Sequence, residues 1–168
     1  MATTISRLDT RELRAWRGLL HVYAQLSKAL DAQLVAEHGL PLTSYEVLMY
    51  LSDADGGRMR MNELADSVLL SRSGLTRLVD RLQREGLIER EQCASDARGA
   101  YAVLTETGRG RLREAQPLHR ESVRRRFLSR FSDDELRELA VFWERLQTDG
   151  AVGLAVRLST SRCSRAAV

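Results

Sequence analysis

Residues 71–90, with the sequence SRSGLTRLVDRLQREGLIER, constrain the fold of this chain most strongly. Four apolar residues in this stretch recur at spacings of three and four, which places them on one face of a helix: Leu75, Leu78, Val79 and Leu82. Ser71 is expected to cap the first turn of that helix, and Gly86 can adopt the left-handed conformation that ends it. The stretch therefore predicts an amphipathic helix that packs its apolar face against a core.

The opposite face of the predicted helix is polar and rich in arginine. Its side chains are Arg72, Ser73, Thr76, Arg77, Arg81 and Arg84, with Asp80 as the one acid. An apolar back with a short polar front at the N-terminus is the shape that enters a DNA major groove. A solvated charged surface has the same pattern, so the flanking sequence has to decide between the two interpretations.

The segment before this helix predicts a helix-turn-helix. Asn62 is expected to cap a brief helix over residues 63–68, and Leu69 with Leu70 forms the turn that leads into Ser71. A short helix, a tight turn and a longer helix with a polar N-terminal face make up that motif. The longer helix would then be the recognition helix.

The segment after it predicts a β-hairpin. Residues 87–91 and 100–104 are strand-like, and the polar stretch Gln92–Gly99 separates them as a long tip. A hairpin directly after a recognition helix is a wing, and Arg98 at its tip can reach a minor groove. The alternative is that Arg98 is a solvated loop residue.

Helices are also predicted on both sides of this unit. Asp9 with Glu12 forms a capping-box pattern and opens a long helix that ends near His38, and Thr43 with Glu46 repeats the pattern for the next helix. The first helix is longer than a domain of this size needs for its own core. We expect its second apolar flank to meet another chain.

Two further helices are predicted after the wing. Thr105 is expected to cap a helix that runs to about Arg130 and that Pro117 should kink or divide. Ser132 with Glu135 forms another capping box and opens the final helix. With these helices the chain is predicted to be mainly α, with a small β-hairpin wing.

Composition places the chain among globular proteins with a single domain. The 168 residues include no apolar run of the roughly 20 residues that a membrane helix needs, and the first residues lack the apolar region of a signal peptide. Two cysteines, Cys93 and Cys163, make no disulfide framework. We therefore expect a cytoplasmic protein that does not interact with a membrane.

The chain resembles the MarR family of winged-helix transcriptional regulators. The resemblance rests on ELADSVLLSRSGLTRLVDRLQREGLIER, on the wing signature Asp96-Ala97-Arg98-Gly99 and on the following LTETGRGRL. It covers roughly residues 9–150 as a single winged-helix domain, and the predicted helices follow the order of that family.

The resemblance implies a homodimer that binds double-stranded DNA. Dimerisation helices at about residues 9–38 and 106–149 would intertwine, residues 43–104 would form the DNA-binding lobe, and residues 151–168 would be a partly disordered tail. The two recognition helices would enter successive major grooves of a pseudo-palindromic operator. A small aromatic or acidic effector would release a repressor of this kind from its operator.

The resemblance also assigns site residues. It gives the recognition role to Arg72, Ser73, Thr76 and Arg77 and the wing contact to Arg98, and the polar helix face adds Ser71 and Arg81 to the predicted DNA-binding set. Trp16 and Glu46 are expected to flank the cleft between the dimer helices and the lobe, where relatives bind small aromatic acids. The alternative for Trp16 is a place in the core.

No catalytic constellation stands out in the sequence. His21, His38 and His119 are scattered, without a cysteine or carboxylate at a metal-ligand spacing, and the chain has no Gly-rich phosphate loop. We expect neither an enzyme nor a metal or other cofactor. The main alternative to a DNA-binding regulator is a winged-helix protein-interaction module that does not read DNA.

Overall fold

The computed structural model describes residues 7–93 and 96–148 of the chain, and for residues 93, 96–99, 147 and 148 it describes the backbone alone. In these ranges the chain forms helices and one antiparallel sheet, as predicted. The helices are α1 (Thr10–His38), α2 (Leu42–Asp53), α3 (Met61–Ser67), α4 (Arg72–Arg84), α5 (Glu106–Arg126) and α6 (Asp133–Thr148). The strands are β1 (Arg58–Arg60), β2 (Ile88–Cys93) and β3 (Asp96–Leu104). The predicted tail at 151–168 lies outside the described residues.

Helix α1 begins and ends as its sequence predicts. The Asp9 carboxylate accepts a hydrogen bond from the Glu12 N–H at 2.8 Å, and the Glu12 carboxylate accepts one from the Asp9 N–H at 2.7 Å. Gly39 ends the helix with a φ of 60°, a left-handed conformation that glycine adopts without steric cost. The capping box and the predicted end near His38 are both confirmed.

The predicted starts of α2 and α3 are wrong. Helix α2 begins at Leu42, and no side chain of its own segment caps it. Instead, the Leu42 N–H donates to the Asp31 carboxylate of α1 at 2.8 Å. Helix α3 begins at Met61 and also lacks a side-chain cap, so neither Thr43 nor Asn62 has the predicted role. Because α1 supplies the acceptor for α2, local spacing could not reveal it.

Helix α4 has the predicted caps and the predicted buried face. The Ser71 hydroxyl accepts a hydrogen bond from the Gly74 N–H at 3.1 Å, and Gly86 has a φ of 71° just beyond the helix. The apolar stripe Leu75, Leu78, Val79 and Leu82 is buried. The stripe belongs to one core with the other buried apolar residues, and the largest of these that are fully buried are Leu34, Tyr45, Leu48, Leu51, Leu64 and Ile88.

The sheet has the strand order β1-β3-β2, and all its pairs are antiparallel. The hairpin strands reach further than predicted, since β2 extends to Cys93 and β3 begins at Asp96. The predicted tip Gln92–Gly99 is therefore wrong, and Arg98 lies within β3 instead of in a loop. Backbone hydrogen bonds do not require apolar side chains, so polar residues can continue a pair of strands beyond its apolar part.

Helices α5 and α6 follow the sheet. The Thr105 hydroxyl caps α5 by accepting from the Gly108 N–H at 3.0 Å, as predicted. Pro117 does not divide α5, which runs continuously to Arg126, four residues short of the predicted end, and a 3-10 turn follows at Leu128–Arg130. The capping box predicted for α6 is confirmed, because Ser132 and Glu135 exchange backbone and side-chain hydrogen bonds.

The first half of α1 and most of α6 leave large apolar side chains exposed to solvent. From Asp133 to Leu146, no residue of α6 is buried. The exposed apolar side chains of the two helices include Trp16, Leu19, Leu20, Val22, Tyr23, Val141, Phe142, Trp143 and Leu146. No helix of the described ranges is both long enough and apolar enough to cross a membrane.

Candidate nucleic-acid interface

Helices α3 and α4 are joined by a tight turn that contains one left-handed residue. Leu69 has a φ of 54°, the Val68 N–H donates to the Leu64 carbonyl at 3.0 Å, and the Leu70 N–H donates to the Ala65 carbonyl at 3.0 Å. These bonds satisfy two of the last four carbonyl groups of α3. The N-terminus of α4, which follows this turn, lies at the surface.

Five predicted DNA-binding residues form this exposed N-terminal surface of α4: Ser71, Arg72, Ser73, Thr76 and Arg77. The Ser71 and Ser73 hydroxyl oxygens are 3.2 Å apart, and the Thr76 hydroxyl donates to the Arg72 carbonyl at 2.9 Å. The small side chains thus stay close to the helix. A groove can approach the backbone there, with longer arginine side chains on either side.

Arg72 and Arg77 have no side-chain partner within the part of the chain that the structure describes, and both are exposed. Their guanidinium groups can therefore engage an anionic or hydrogen-bonding ligand without first breaking an ion pair. Arginine presents paired donors that match a guanine edge or a phosphate.

Arg81 is disposed differently from the other arginines of α4. Its Nη2 donates to the hydroxyl of the buried Ser44 of α2 at 2.7 Å, and its Nε lies 3.8 Å from the Glu85 carboxylate. The side chain therefore satisfies a buried hydroxyl group that would otherwise lack a donor. The structure connects Arg81 to Ser44 of α2, and it does not bring this side chain to the N-terminal surface.

Sequence reasoning missed Arg90, which joins the wing to α4. Its Nη2 lies 2.7 Å from Oδ1 of Asp80 and donates to the Thr76 carbonyl at 3.3 Å. Asp80 is the one acid on the polar face of α4, and Arg90 shares a face of β2 with the buried Ile88 because side chains two apart point the same way. Two features of the sequence could have indicated this contact. One is Asp80, the single acid on the basic face of α4, and the other is the alternating pattern of the strand that contains Arg90.

Arg98 belongs to strand β3, within the hairpin that follows α4. The predicted contact between Arg98 and a groove concerns a side chain outside the described part of the chain. The backbone position fixes only that Arg98 lies close to the outer end of the hairpin.

Trp16 and Glu46 are not brought together within one chain. Asp31 of α1 contacts the start of α2, and Trp16 lies fifteen residues earlier in α1, about 22 Å further along the helix at 1.5 Å per residue. The Trp16 side chain is 54% exposed and is not part of the core. Glu46 is partly buried, and that burial raises the pKa of its carboxyl group.

A second partly buried titratable group, His119 of α5, packs against the residue that precedes Glu46. The His119 ring stacks on Tyr45 of α2 with centroids 4.3 Å apart, and its buried Nδ1 has no hydrogen-bond partner among the described residues. Burial lowers the pKa of His119. The described residues contain no group of three His, Cys, Asp or Glu side chains arranged to hold a metal ion.

A short helix, a tight turn, a second helix with an exposed polar N-terminus and an antiparallel hairpin beside it define a winged helix-turn-helix protein. Comparison with known proteins agrees with this class. The sequence model of the MarR family matches residues 38–99. That range includes the end of α1, α2, α3, α4 and most of the wing.

Three relatives extend the similarity to most of the chain. AbsC, a MarR family transcriptional regulator from Streptomyces coelicolor, is 37% identical, with 87% of this chain and 96% of AbsC covered and a TM-score of 0.77. Sco3205, a MarR family regulator from the same organism solved in complex with DNA, is 32% identical, with 89% and 92% covered and a TM-score of 0.80. The HTH-type transcriptional regulator YkoM of Bacillus subtilis is 30% identical, with 79% of this chain and 86% of YkoM covered.

The chain belongs to the MarR family of transcriptional regulators and is a DNA-binding protein of that family. These relatives are transcriptional regulators and not enzymes. The resemblance that residues 71–90 and the wing signature indicated is thereby confirmed.

Proposed function

We propose that this chain acts as a homodimeric repressor that binds a pseudo-palindromic operator and leaves it when a small aromatic or acidic ligand binds. We infer the DNA-binding surface from the exposed N-terminus of α4, where Arg72 and Arg77 are unpaired among the described residues. Ser71, Ser73 and Thr76 complete the surface that faces a major groove. Arg98 of the wing would contact the adjacent minor groove.

The exposed apolar side chains of α1 and α6 support the dimer. A helix in a folded protein gains most of its stability from tertiary packing of one face, yet α6 has no buried residue from Asp133 to Leu146. Apolar surface of this extent is typical of a protein–protein interface. We infer that α1, α5 and α6 of two chains pack together and place two copies of α4 on successive major grooves.

Repression follows most simply from occupancy of the operator. A dimer that covers two half-sites one helical turn apart excludes polymerase from the same DNA. A ligand relieves repression if it binds better to a dimer whose lobes do not fit the half-sites. Such a regulator would work in the cytoplasm, together with the DNA that it binds.

The test begins with duplexes selected from a random pool by the wild-type chain. A bidentate arginine–guanine contact discriminates by about 1–3 kcal/mol, so Arg77→Ala should weaken binding to the selected duplex by about ten- to a hundredfold. Binding to unselected duplex should weaken far less. Arg84→Ala is the matched control, because it removes the same charge from the C-terminal end of α4.

Each outcome of this test has a meaning. Equal losses on both duplexes would reduce Arg77 to a phosphate contact, and no loss on either would remove it from the surface. A wild-type chain that selects no preferred duplex would contradict the proposed function and would favour a winged helix that binds another protein.

A further inference from the structure

Arg90 and Asp80 join the two parts of the chain that would contact DNA. Asp80 lies on α4, four residues beyond Thr76, and Arg90 lies on β2 of the wing. A single guanidinium nitrogen of Arg90 lies 2.7 Å from the Asp80 carboxylate and 3.3 Å from the Thr76 carbonyl. The wing is thus attached to α4 both through a side chain and through the helix backbone.

We propose that Arg90 and Asp80 are positioning residues that hold the wing at a fixed distance and angle from α4. The inference rests on the proposed function, in which α4 reads a major groove and the wing contacts the adjacent minor groove. Two grooves can be contacted at once only if the two elements keep the spacing that the duplex dictates. The pair would therefore determine how far from each half-site the wing makes its contact.

The exposure of the pair is consistent with positioning. The side chain of Arg90 is 31% exposed and that of Asp80 is 46% exposed, so the pair is neither buried in the core nor free in solvent. A pair at this depth adds little to overall stability. It can still restrict the orientation of two surface elements, since arginine forms hydrogen bonds in a rigid planar geometry.

A competing interpretation gives Arg90 a direct contact with a phosphate group, with Asp80 as an incidental neighbour. The two interpretations predict opposite signs for Asp80→Asn. Removing a negative charge next to DNA strengthens binding if electrostatics alone decide the affinity. If Asp80 positions the wing, its loss weakens binding to the selected duplex even though the chain has become more positive.

The experiment measures the affinity of full-length Asp80→Asn for duplexes selected by the wild-type chain and for unselected duplex. We expect a loss of about tenfold on the selected duplex, within the range of coupling between contacting residues, and little change on unselected duplex. Glu85→Gln is the matched control, since it removes an equal charge near the end of α4 from an ion pair with Arg81. It should leave the affinity unchanged or slightly raised.

A second readout responds to positioning and not to stability. One base pair is inserted between the selected half-site and its flanking sequence. The loss of affinity that the insertion causes is then compared between the wild-type chain and the variants. The wild-type chain should lose its flank preference on insertion, whereas Asp80→Asn and Arg90→Gln should show a weaker preference that depends less on the spacing. The double variant should resemble either single variant, because each already breaks the same contact.

These measurements separate failure of the inference from failure of the proposed function. Stronger binding by Asp80→Asn, or a spacing dependence that stays as in the wild type, overturns positioning while operator recognition stands. A reduced salt dependence in Arg90→Gln of about two phosphates per dimer, equal on both duplexes, identifies a phosphate contact instead. A wild-type chain without sequence preference overturns both proposals. Arg90→Lys keeps the charge, so wild-type behaviour of this variant also argues against positioning.

Discussion

Gly108, at the start of α5, lies directly against the carbonyl group of Leu87, at the start of the wing. A Cβ atom added to Gly108 would be 2.1 Å from the Leu87 oxygen and 2.7 Å from a methyl carbon of Leu104. The same Leu87 carbonyl accepts hydrogen bonds from the Thr105 N–H at 3.2 Å and the Thr105 hydroxyl at 2.9 Å. This contact fixes the base of the wing against α5.

Gly108→Ala should therefore destabilise the chain. The added methyl group meets backbone that already accepts two hydrogen bonds, and overpacking of this kind typically costs about 1–3 kcal/mol. Gly110→Ala is the matched control, since a Cβ atom there meets no atom within 4 Å and the substitution removes an unfavourable glycine from a helix, a gain of about 0.5–1 kcal/mol. Thermal unfolding of both variants should shift in opposite directions, and similar shifts would contradict the contact.

Ser71→Ala should weaken α4 at its DNA-facing end. The Ser71 hydroxyl accepts the Gly74 N–H, and loss of an N-cap of this type costs about 0.5–2 kcal/mol. Ser73→Ala should change stability little, because the Ser73 hydroxyl contacts only the Ser71 hydroxyl among the described residues. Urea unfolding distinguishes the two serines, and an equal effect would show that the cap is not specific to Ser71.

Much of the fold could be predicted because its determinants are local. The stripe Leu75, Leu78, Val79 and Leu82, the cap at Ser71 and the left-handed Gly86 all act within one helix, and each is confirmed. The capping boxes of α1 and α6 are equally local. The MarR resemblance came partly from the same segment and partly from the wing signature Asp96-Ala97-Arg98-Gly99 and the LTETGRGRL that follows it.

The features that the sequence did not reveal depend on contacts between elements. The Asp31 carboxylate satisfies the N-terminus of α2 from eleven residues away, and Leu69 takes a left-handed conformation that usually favours glycine or asparagine. The link from Arg90 to Asp80 and the turn of Arg81 toward Ser44 also require the tertiary fold. The residue types indicated that one face of α4 is basic. Only the fold shows which arginines already bind another side chain of the same chain.

The stability of the chain should depend on pH through His119. Burial lowers its pKa in the folded chain, so the unfolded chain binds more protons between that lowered pKa and the ordinary value of about 6.5. Stability should therefore be full above about pH 6.5 and fall as the pH decreases toward the folded pKa. His119→Phe keeps an aromatic ring against Tyr45, removes the unpaired Nδ1 and should flatten this part of the pH profile.

The titration of Glu46 changes the stability with pH in the opposite direction, so its effect has to be separated from that of His119. Burial raises the pKa of Glu46, so its contribution is present below the unfolded pKa and is lost as the pH rises through the folded one. The comparison of the wild-type chain with His119→Phe is therefore repeated in a Glu46→Gln background, with His38→Gln as a control at the partly exposed end of α1. If the stability of the His119→Phe variants still falls with decreasing pH as in the parent chains, other groups cause the pH dependence.

The dimer predicted from α1 and α6 can be tested at single exposed positions. Leu20 is 48% exposed and Phe142 is 50% exposed, so burying the exposed half in a dimer contributes about half of the roughly 1.5–3 kcal/mol that full burial of such a side chain gives. A symmetric dimer contains each residue twice, so Leu20→Asp or Phe142→Asp removes two such contributions and introduces two charges into the interface. We expect either variant to be monomeric at micromolar concentration and to bind selected operator far more weakly, because one chain can contact only one half-site.

Val35→Asp is the matched control for this last prediction. Val35 is similarly exposed and belongs to α1, but it lies fifteen residues beyond Leu20, about 22 Å along the helix axis, near the DNA-binding lobe. Analytical ultracentrifugation should show a dimer for the wild-type chain and for Val35→Asp, and monomers for the other two variants. Circular dichroism should show that α1 is retained in all of them if the aspartates act at the interface. A wild-type chain that sediments as a folded monomer, or a Leu20→Asp variant that stays dimeric, would place the interface elsewhere.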